Sequence, residues 1–180
     1  MLTIGLFYGS SLGNTESVAT KIQQGLDGLA DVILHDIVES TPETFELYDF
    51  LIMGIPTWDF GELQSDYEDQ WEMLQQVDFS GKVIALFGLG DQFGYADYFL
   101  DAMGALHELV TLQGGITVSE WPISGYDFEA SKALTEDGQH FVGLALDEDQ
   151  QFELTDERIA GWLEVVKQDF GLQGQSVATA

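Results

Sequence analysis

Leu2 to Tyr8 is apolar almost without a break, and it runs directly into Gly9-Ser10-Ser11-Leu12-Gly13-Asn14-Thr15, small or hydroxylated except at Leu12. An amphipathic helix pattern follows at once. A strand apolar on both faces belongs inside a parallel sheet covered by helices. A helix that begins right after a small-residue loop points unpaired N–H groups and its positive dipole end past the strand's tip. This opening stretch therefore reads as an anion cradle.

The rest of the chain repeats the alternation. The first helix runs from about Thr15, with Val18, Ile22, Leu26 and Leu29 on one side and Glu16 near its positive end. Val32 to Ile37 reads as a second strand, and Thr41-Pro42 opens a short helix. Phe50 to Ile55 is the third strand, expected to stop at Pro56. An acidic helix follows between Gly61 and Gln76, with Tyr67, Trp71 and Leu74 inward, and Val83 to Gly88 is the fourth strand. Phe99, Met103, Leu106 and Val110 mark a long helix ended by Gly114-Gly115. Ile116 to Trp121 begins a fifth strand that Phe141 to Leu146 resumes, so Pro122 to His140 is an insertion within one strand. A last helix starts at Thr155, whose hydroxyl is placed to cap it, and ends at Gly171. Such alternation predicts a doubly wound parallel α/β sheet with helices on both faces. The expected layout is one domain over residues 1–171, followed by a disordered tail, 172–180.

Charge narrows the partners. The 180 residues carry 32 acids against 5 bases, a net charge of -27. That surface repels nucleic acid and anionic lipid and attracts basic proteins, or serves only solubility. The absence of cysteine excludes disulfide and thiol chemistry. No segment has the apolar length of a membrane span, and a cytoplasmic protein is expected.

In such sheets ligands sit beyond the carboxyl ends of the strands where strand order reverses, so the loops after strands one, three and four should converge. The first loop also matches the G-x-S-x-G nucleophile elbow, but an elbow has strands before it, whereas this loop follows the first strand, and the last histidine, His140, comes before the final strand segment ends. It contains neither G-x-x-x-x-G-K-[ST] nor G-x-G-x-x-G, so a single phosphate monoester suits it better than a triphosphate or dinucleotide. A ligand-free tight turn stays open for this loop alone. The second loop sets Trp58 and Phe60 around Asp59, and a planar apolar ligand would explain them, as would packing on the next helix. In the third, Gly88-Leu89-Gly90-Asp91, a carboxylate would accept from a heterocycle N–H while Tyr95 offers a second stacking face. A receiver-type phosphorylation domain would want acids where Gly9-Ser10 stand. His35, His107 and His140 lack metal-ligand spacing, and Asp147-Glu148-Asp149 lacks the calcium-loop pattern, so no metal site is expected.

Leu6-Phe7-Tyr8-x-Ser10-x-x-Gly13-x-Thr15-x-x-x-Ala19-x-x-Ile22, Pro56-Thr57-Trp58 and Gly90-Asp91-Gln92-x-Gly94-Tyr95 together resemble the long-chain flavodoxins. The insertion followed by Phe141-Val142-Gly143-Leu144-Ala145-Leu146-Asp147 resembles that group's extra loop, and Gly54 to Gly61 resembles the flavodoxin B subtype. The resemblance implies a flavodoxin-like five-stranded sheet of order 2-1-3-4-5, split in strand 5. It implies a low-potential, one-electron carrier with non-covalent FMN and no catalytic residues of its own. Ser10, Ser11, Leu12, Gly13, Asn14 and Thr15 would surround the phosphate. Thr57 and Asp147 would lie near the ribityl chain. Trp58 and Tyr95 would stack on the two flavin faces, within loops formed by Pro56, Asp59, Phe60 and Gly61 and by Gly88, Leu89 and Gly90. Asp91 would accept from the flavin N3–H, and the carbonyl after Asp59 would meet N5–H on reduction. Leu12 replaces a hydroxylated residue usual in the family. The implied partners are basic-surfaced redox proteins, a flavodoxin reductase and an acceptor enzyme, with the chain a monomer. An FMN-dependent oxidoreductase and a flavin-free interaction module remain open alternatives.

Overall fold

A computed structural model describes residues 1–173 of the chain. β1 (Leu2–Tyr8) lies between β2 (Ala30–Asp36) and β3 (Phe50–Trp58), parallel to both, with Tyr8 opposite Asp36 and Gly54. β3 pairs in turn with β5 (Val83–Leu89). On the far edge of β5, β6 (Ile116–Val118) covers Val83 to Ala85 and β9 (Leu144–Leu146) covers Phe87 to Leu89. These two short strands form one split fifth strand, so the order is the expected 2-1-3-4-5.

Helices α1 (Asn14–Gly25) and α5 (Thr155–Asp169) cover one face, burying Val18, Ile22, Trp162 and Val166 against Ile4, Leu6, Ile52 and Phe87. Helices α2 (Pro42–Glu46), α3 (Ser65–Leu74) and α4 (Asp101–Leu112) cover the other, where Phe45, Tyr67 and Met103 meet Phe7, Met53 and Leu86. Successive strand side chains point to opposite faces, so an unbroken apolar run feeds both cores.

The insertion is closed at its base by a two-residue antiparallel ribbon, β7 (Trp121–Pro122) with β8 (His140–Phe141). Its aromatics pack back on the domain. Phe99 has the rings of Phe128 and Phe141 at 5.6 and 5.7 Å.

Several local expectations change: Phe99 precedes α4, and Trp121 and Phe141 lie in the β7–β8 ribbon rather than in the fifth strand. β3 does not stop at Pro56, which pairs with Leu89 two residues past the last β1 partner. The strand has a single parallel neighbour there, and a residue without an N–H is tolerated on the open side. α1 ends at Gly25, so Leu29 lies outside it. The Thr155 hydroxyl is buried without a partner among the described residues, because Thr155 is already the first helical residue. Leu172, assigned to the tail by sequence, is buried instead. Its N–H donates to the Lys167 carbonyl (2.8 Å) and that of Gly171 to Gln168 (3.1 Å), a Schellman closure in which Gly171 takes a φ of 67°. Residues 174–180 of the expected tail lie outside the described residues.

Two histidines give this fold a pH dependence. His35 Nε2 is 2.7 Å from the Tyr48 hydroxyl with its ring stacked on Phe7, and His107 Nε2 is 3.1 Å from Thr117 Oγ1. Burial lowers both imidazoles below their ordinary 6.5. A base depressed in the folded state contributes stability that is present above its unfolded pKa and lost as pH falls through the folded one. Stability should therefore decline below pH 6.5, and the His35→Gln/His107→Gln variant should decline less steeply. Urea midpoints at pH 7 and 5.5 that fall equally in both proteins would contradict this.

Candidate functional site

A cleft of about 360 Å³ opens beyond the carboxyl ends of β1, β3 and β5. Ser10, Ser11, Leu12, Asn14 and Thr15 line one end, and Leu89, Gly90, Asp91 and Tyr95 the other. Pro56, Thr57, Trp58 and Asp59 form the wall between them.

The first loop is built as a donor surface. Gly13 is the residue before α1, with a φ of 88° that favours glycine, and its N–H donates to Ser10 Oγ at 3.0 Å. Ser17 N–H closes the first helical bond to the Gly13 carbonyl at 2.9 Å. No side chain caps α1, and among the described residues nothing accepts from the amides of Ser11, Leu12, Asn14, Thr15 or Glu16. Ser10 Oγ already accepts, so its proton is left to point elsewhere. Leu12 is 89% exposed at the rim.

The second and third loops are joined across the mouth. β3 turns back through Asp59 (φ 44°) and Gly61 (φ 85°) into β4 (Glu62–Leu63), which pairs with Thr57 and Trp58. Aspartate is among the few residues that tolerate the left-handed region. Thr57 Oγ1 accepts from Ala102 N–H at 3.1 Å and so caps α4. The Tyr95 hydroxyl donates to Asp59 Oδ1 at 3.2 Å, and that bond, with the carboxylate's charge, raises the phenol's pKa. Trp58 and Tyr95 are each 37% exposed, large aromatic surfaces held in place beside an open cleft.

Most residues singled out from the sequence meet here, and five do not. Gly13, Phe60, Gly61, Gly88 and Asp147 are not among the lining residues. Gly13 and Gly61 serve the backbone turns. Gly88 is buried within β5 opposite Ile55. Phe60 faces outward, its ring edge-on to Tyr95 and Tyr98 at 5.8 and 5.6 Å. Asp147 is fully buried, accepting from Gln92 N–H (3.1 Å), Gln92 Nε2 (2.9 Å), Asp149 N–H (3.1 Å) and Gln150 N–H (2.9 Å). Its carboxylate binds loop to loop rather than reaching into the cleft. Asp91 lines the cleft, yet its Oδ1 accepts from Phe93 N–H (3.0 Å), Gly94 N–H (2.7 Å) and Gln150 Nε2 (3.2 Å). That oxygen is spent on the turn, which leaves Oδ2 for the expected role of Asp91 as a ligand acceptor.

The structure also brings in residues that the sequence did not assign to the site. Glu148 and Asp149 line the cleft, where partial desolvation of the otherwise exposed Asp149 first and the charges of Asp91 and Asp147 next push its carboxyl above the usual range. Gln64 and Gln92, both fully buried, brace the first and third loops. No histidine lines the cleft, so the elbow reading lacks its general base. No group of acids and histidines among the described residues is arranged to hold a metal.

The Flavodoxin family model matches residues 6–162. The chain belongs to the flavodoxin family. Its similarity to the flavodoxin of Klebsiella pneumoniae is 49% identity over 174 residues, covering 96% of this chain and 97% of that one. The Haemophilus influenzae flavodoxin is 51% identical over 163 residues, covering 90% and 92%. A solved flavodoxin of Fusobacterium nucleatum, bound to flavin mononucleotide, superposes with a TM-score of 0.86 at 32% identity, over 94% of this chain and 99% of that one. The rule that places a ligand at the switch point of such a sheet takes flavodoxin as one of its own examples, so the cleft's position is a property of the family. The lining of this cleft includes Asp59, Asp91, Glu148 and Asp149 and no lysine or arginine.

Proposed function

We infer that this chain is a one-electron carrier that binds FMN non-covalently in the cleft, as a single domain spanning residues 1–172. Bound FMN supplies the redox chemistry, accepting and releasing electrons one at a time. One observation carries the reading: unpaired amides and serine hydroxyls gather at one end of a cleft whose lining also includes two aromatic faces, Trp58 on the wall and Tyr95 at the far end. The donor set fits a phosphate ester without help from a cation, because the four unpaired amides of Ser11, Leu12, Asn14 and Thr15 around a helix N-terminus and two hydroxyls suffice. Trp58 and Tyr95 fit a flat heterocycle, exclude water from its faces and fix its plane. The Tyr95–Asp59 bond keeps the phenol ring in position before any ligand arrives. Thr57, on the wall between the two ends, is where a ribityl chain would run.

The partners follow from charge. With a net charge of -27 the protein is steered towards basic redox proteins, a reductase and an acceptor, which meet the flavin edge near Phe60, Phe93 and Tyr98, all exposed. It works as a monomer in the cytoplasm. No helix among the described residues is long and apolar enough to cross a membrane.

The test is reconstitution. Protein stripped of ligand should take up FMN one-to-one with quenching of flavin fluorescence. It should then be reduced by a flavodoxin reductase at a rate that falls as salt rises. Failure to bind FMN would overturn the reading, steady oxidation of NAD(P)H by the protein alone would make it an oxidoreductase, and salt-independent reduction would remove the basic-partner inference.

A further inference from the structure

Gln64 lies just before α3 and is fully buried. Its Oε1 accepts from the Tyr67 N–H at 3.3 Å, and its Nε2 is 2.9 Å from Ser11 Oγ. Chemistry fixes which way the amide faces. A backbone N–H only donates, so the atom facing Tyr67 is the carbonyl oxygen and the atom facing Ser11 is the NH2 group, which also only donates. Ser11 Oγ is therefore an acceptor towards Gln64. Its single proton has no acceptor within bonding distance among the described residues, and Ser11 lines the cleft.

The parts behind Gln64 hold it to that orientation. The Tyr67 hydroxyl donates to the Gly54 carbonyl at 2.9 Å, anchoring the first turn of α3 to β3. Gly9 leaves the room: a Cβ there would run into the Gln64 amide and the Tyr67 ring. The cradle's tightest small-residue requirement is thus set by a glutamine distant in sequence.

We propose that Gln64 is a positioning residue that makes Ser11 an obligate hydrogen-bond donor to a phosphate ester, and so favours FMN over riboflavin. The proposal rests on the FMN reading above. A serine free to rotate presents either a proton or a lone pair; only the proton suits a phosphate dianion. Fixing the rotor removes the wrong choice before the ligand binds. Riboflavin carries the same ring and ribityl chain without the phosphate, so it gains nothing from the arrangement.

The decisive substitution is Gln64→Glu. Glutamate keeps the length and keeps an acceptor for the Tyr67 N–H, but it turns a carboxylate oxygen towards Ser11. That oxygen accepts the serine hydroxyl's hydrogen bond and leaves a lone pair facing the phosphate. FMN and riboflavin dissociation constants are measured by fluorescence for the wild type, Gln64→Glu, Ser11→Ala and the double variant. The expected result is a roughly 10- to 100-fold loss for FMN, the range of one charge-assisted hydrogen bond, with riboflavin changed less than about twofold. In the Ser11→Ala background the same Gln64→Glu change should cost FMN at least about fivefold less, because no hydroxyl remains to turn. An equal loss in both backgrounds would mean that the introduced carboxylate acts by charge alone and would overturn the proposal; so would equal losses for FMN and riboflavin. If Gln64→Glu does not fold, Gln64→Met in the same cycle should weaken FMN about 3- to 10-fold only when Ser11 is present, and a loss independent of Ser11 counts against the proposal. Wild-type protein that binds neither flavin would refute the FMN reading itself, whereas wild-type binding without coupling refutes only the role of Gln64.

Discussion

Replacing Trp58 with alanine should weaken FMN binding by about 100-fold or more, a larger loss than Ser11→Ala produces. The indole stands at the end of β3 with 37% of its surface exposed, and its neighbours fix it there through the pairing of Trp58 with Glu62. A flavin laid on that face would remove on the order of 80 Å² of apolar surface on the indole from water, worth about 2 kcal/mol, and stacking adds about 0.5–1.5 kcal/mol. The sum, roughly 3 kcal/mol, is about two decades in affinity. Ser11 is one donor among several. With the unpaired amides of Ser11, Leu12, Asn14 and Thr15 and the Ser10 hydroxyl still at the same end of the cleft, losing its bond falls at the low end of a charge-assisted hydrogen bond, about 1.5 kcal/mol. The two variants also differ in kind. Trp58→Ala should weaken riboflavin and FMN alike, whereas Ser11→Ala should weaken FMN alone. Fluorescence titration at fixed ionic strength decides the order, and a larger loss for Ser11→Ala would show that the phosphate end dominates.

The same contrast between backbone cradle and side-chain face marks what is legible in the sequence. The first strand, its loop and α1 are readable because a continuous apolar run has one stable home, a strand covered on both faces, and because glycine and hydroxyl residues have few reasons to cluster before a helix. The split fifth strand is readable because Ile116 and Leu144 belong to apolar runs that each need part of the same edge of β5. Side-chain direction is not. Asp91 and Asp147 fall in the right loops, but whether a carboxylate faces ligand or its own turn depends on which amides lie within about 3 Å, and Asp147 finds four nitrogen donors. Gln64 and Gln92 leave no trace in charge or hydrophobic period, because a neutral amide adds nothing to either. Gln92 shows in the sequence only as part of the Gly90-Asp91-Gln92 motif, although its Oε1 takes the Asp127 N–H at 2.6 Å and ties the insertion to the third loop. Pro56 misleads because a proline stops a strand only where its missing N–H faces a neighbour.

The acids at the mouth set up the other large effect. The second electron should enter the bound flavin at a potential well below that of free FMN, since it leaves net negative charge in a cleft already lined by Asp59, Asp91, Glu148 and Asp149 and by no base. A carboxylate about 10 Å away at an effective dielectric near 20 opposes that charge by roughly 1.7 kcal/mol, on the order of 70 mV for one electron. Solvent reaches the exposed Asp149 and the half-buried Glu148, and screening takes about half of each contribution. The Glu148→Gln/Asp149→Asn variant should therefore raise the second midpoint by roughly 70 mV. Net charge alone is not the cause. Asp27→Asn/Asp31→Asn removes the same two charges from the opposite end of the sheet, beyond α1 and at the start of β2, and should move the midpoint far less. Asp149 adds a pH signature, because its raised carboxyl gains a proton earlier than an ordinary aspartate as pH falls, which relieves the repulsion and lifts the second midpoint. Anaerobic redox titration of the three proteins at pH 7 and 5.5 separates these terms. A wild-type second midpoint above that of free FMN, or equal shifts in the two double variants, would show that the acidic mouth does not set the potential.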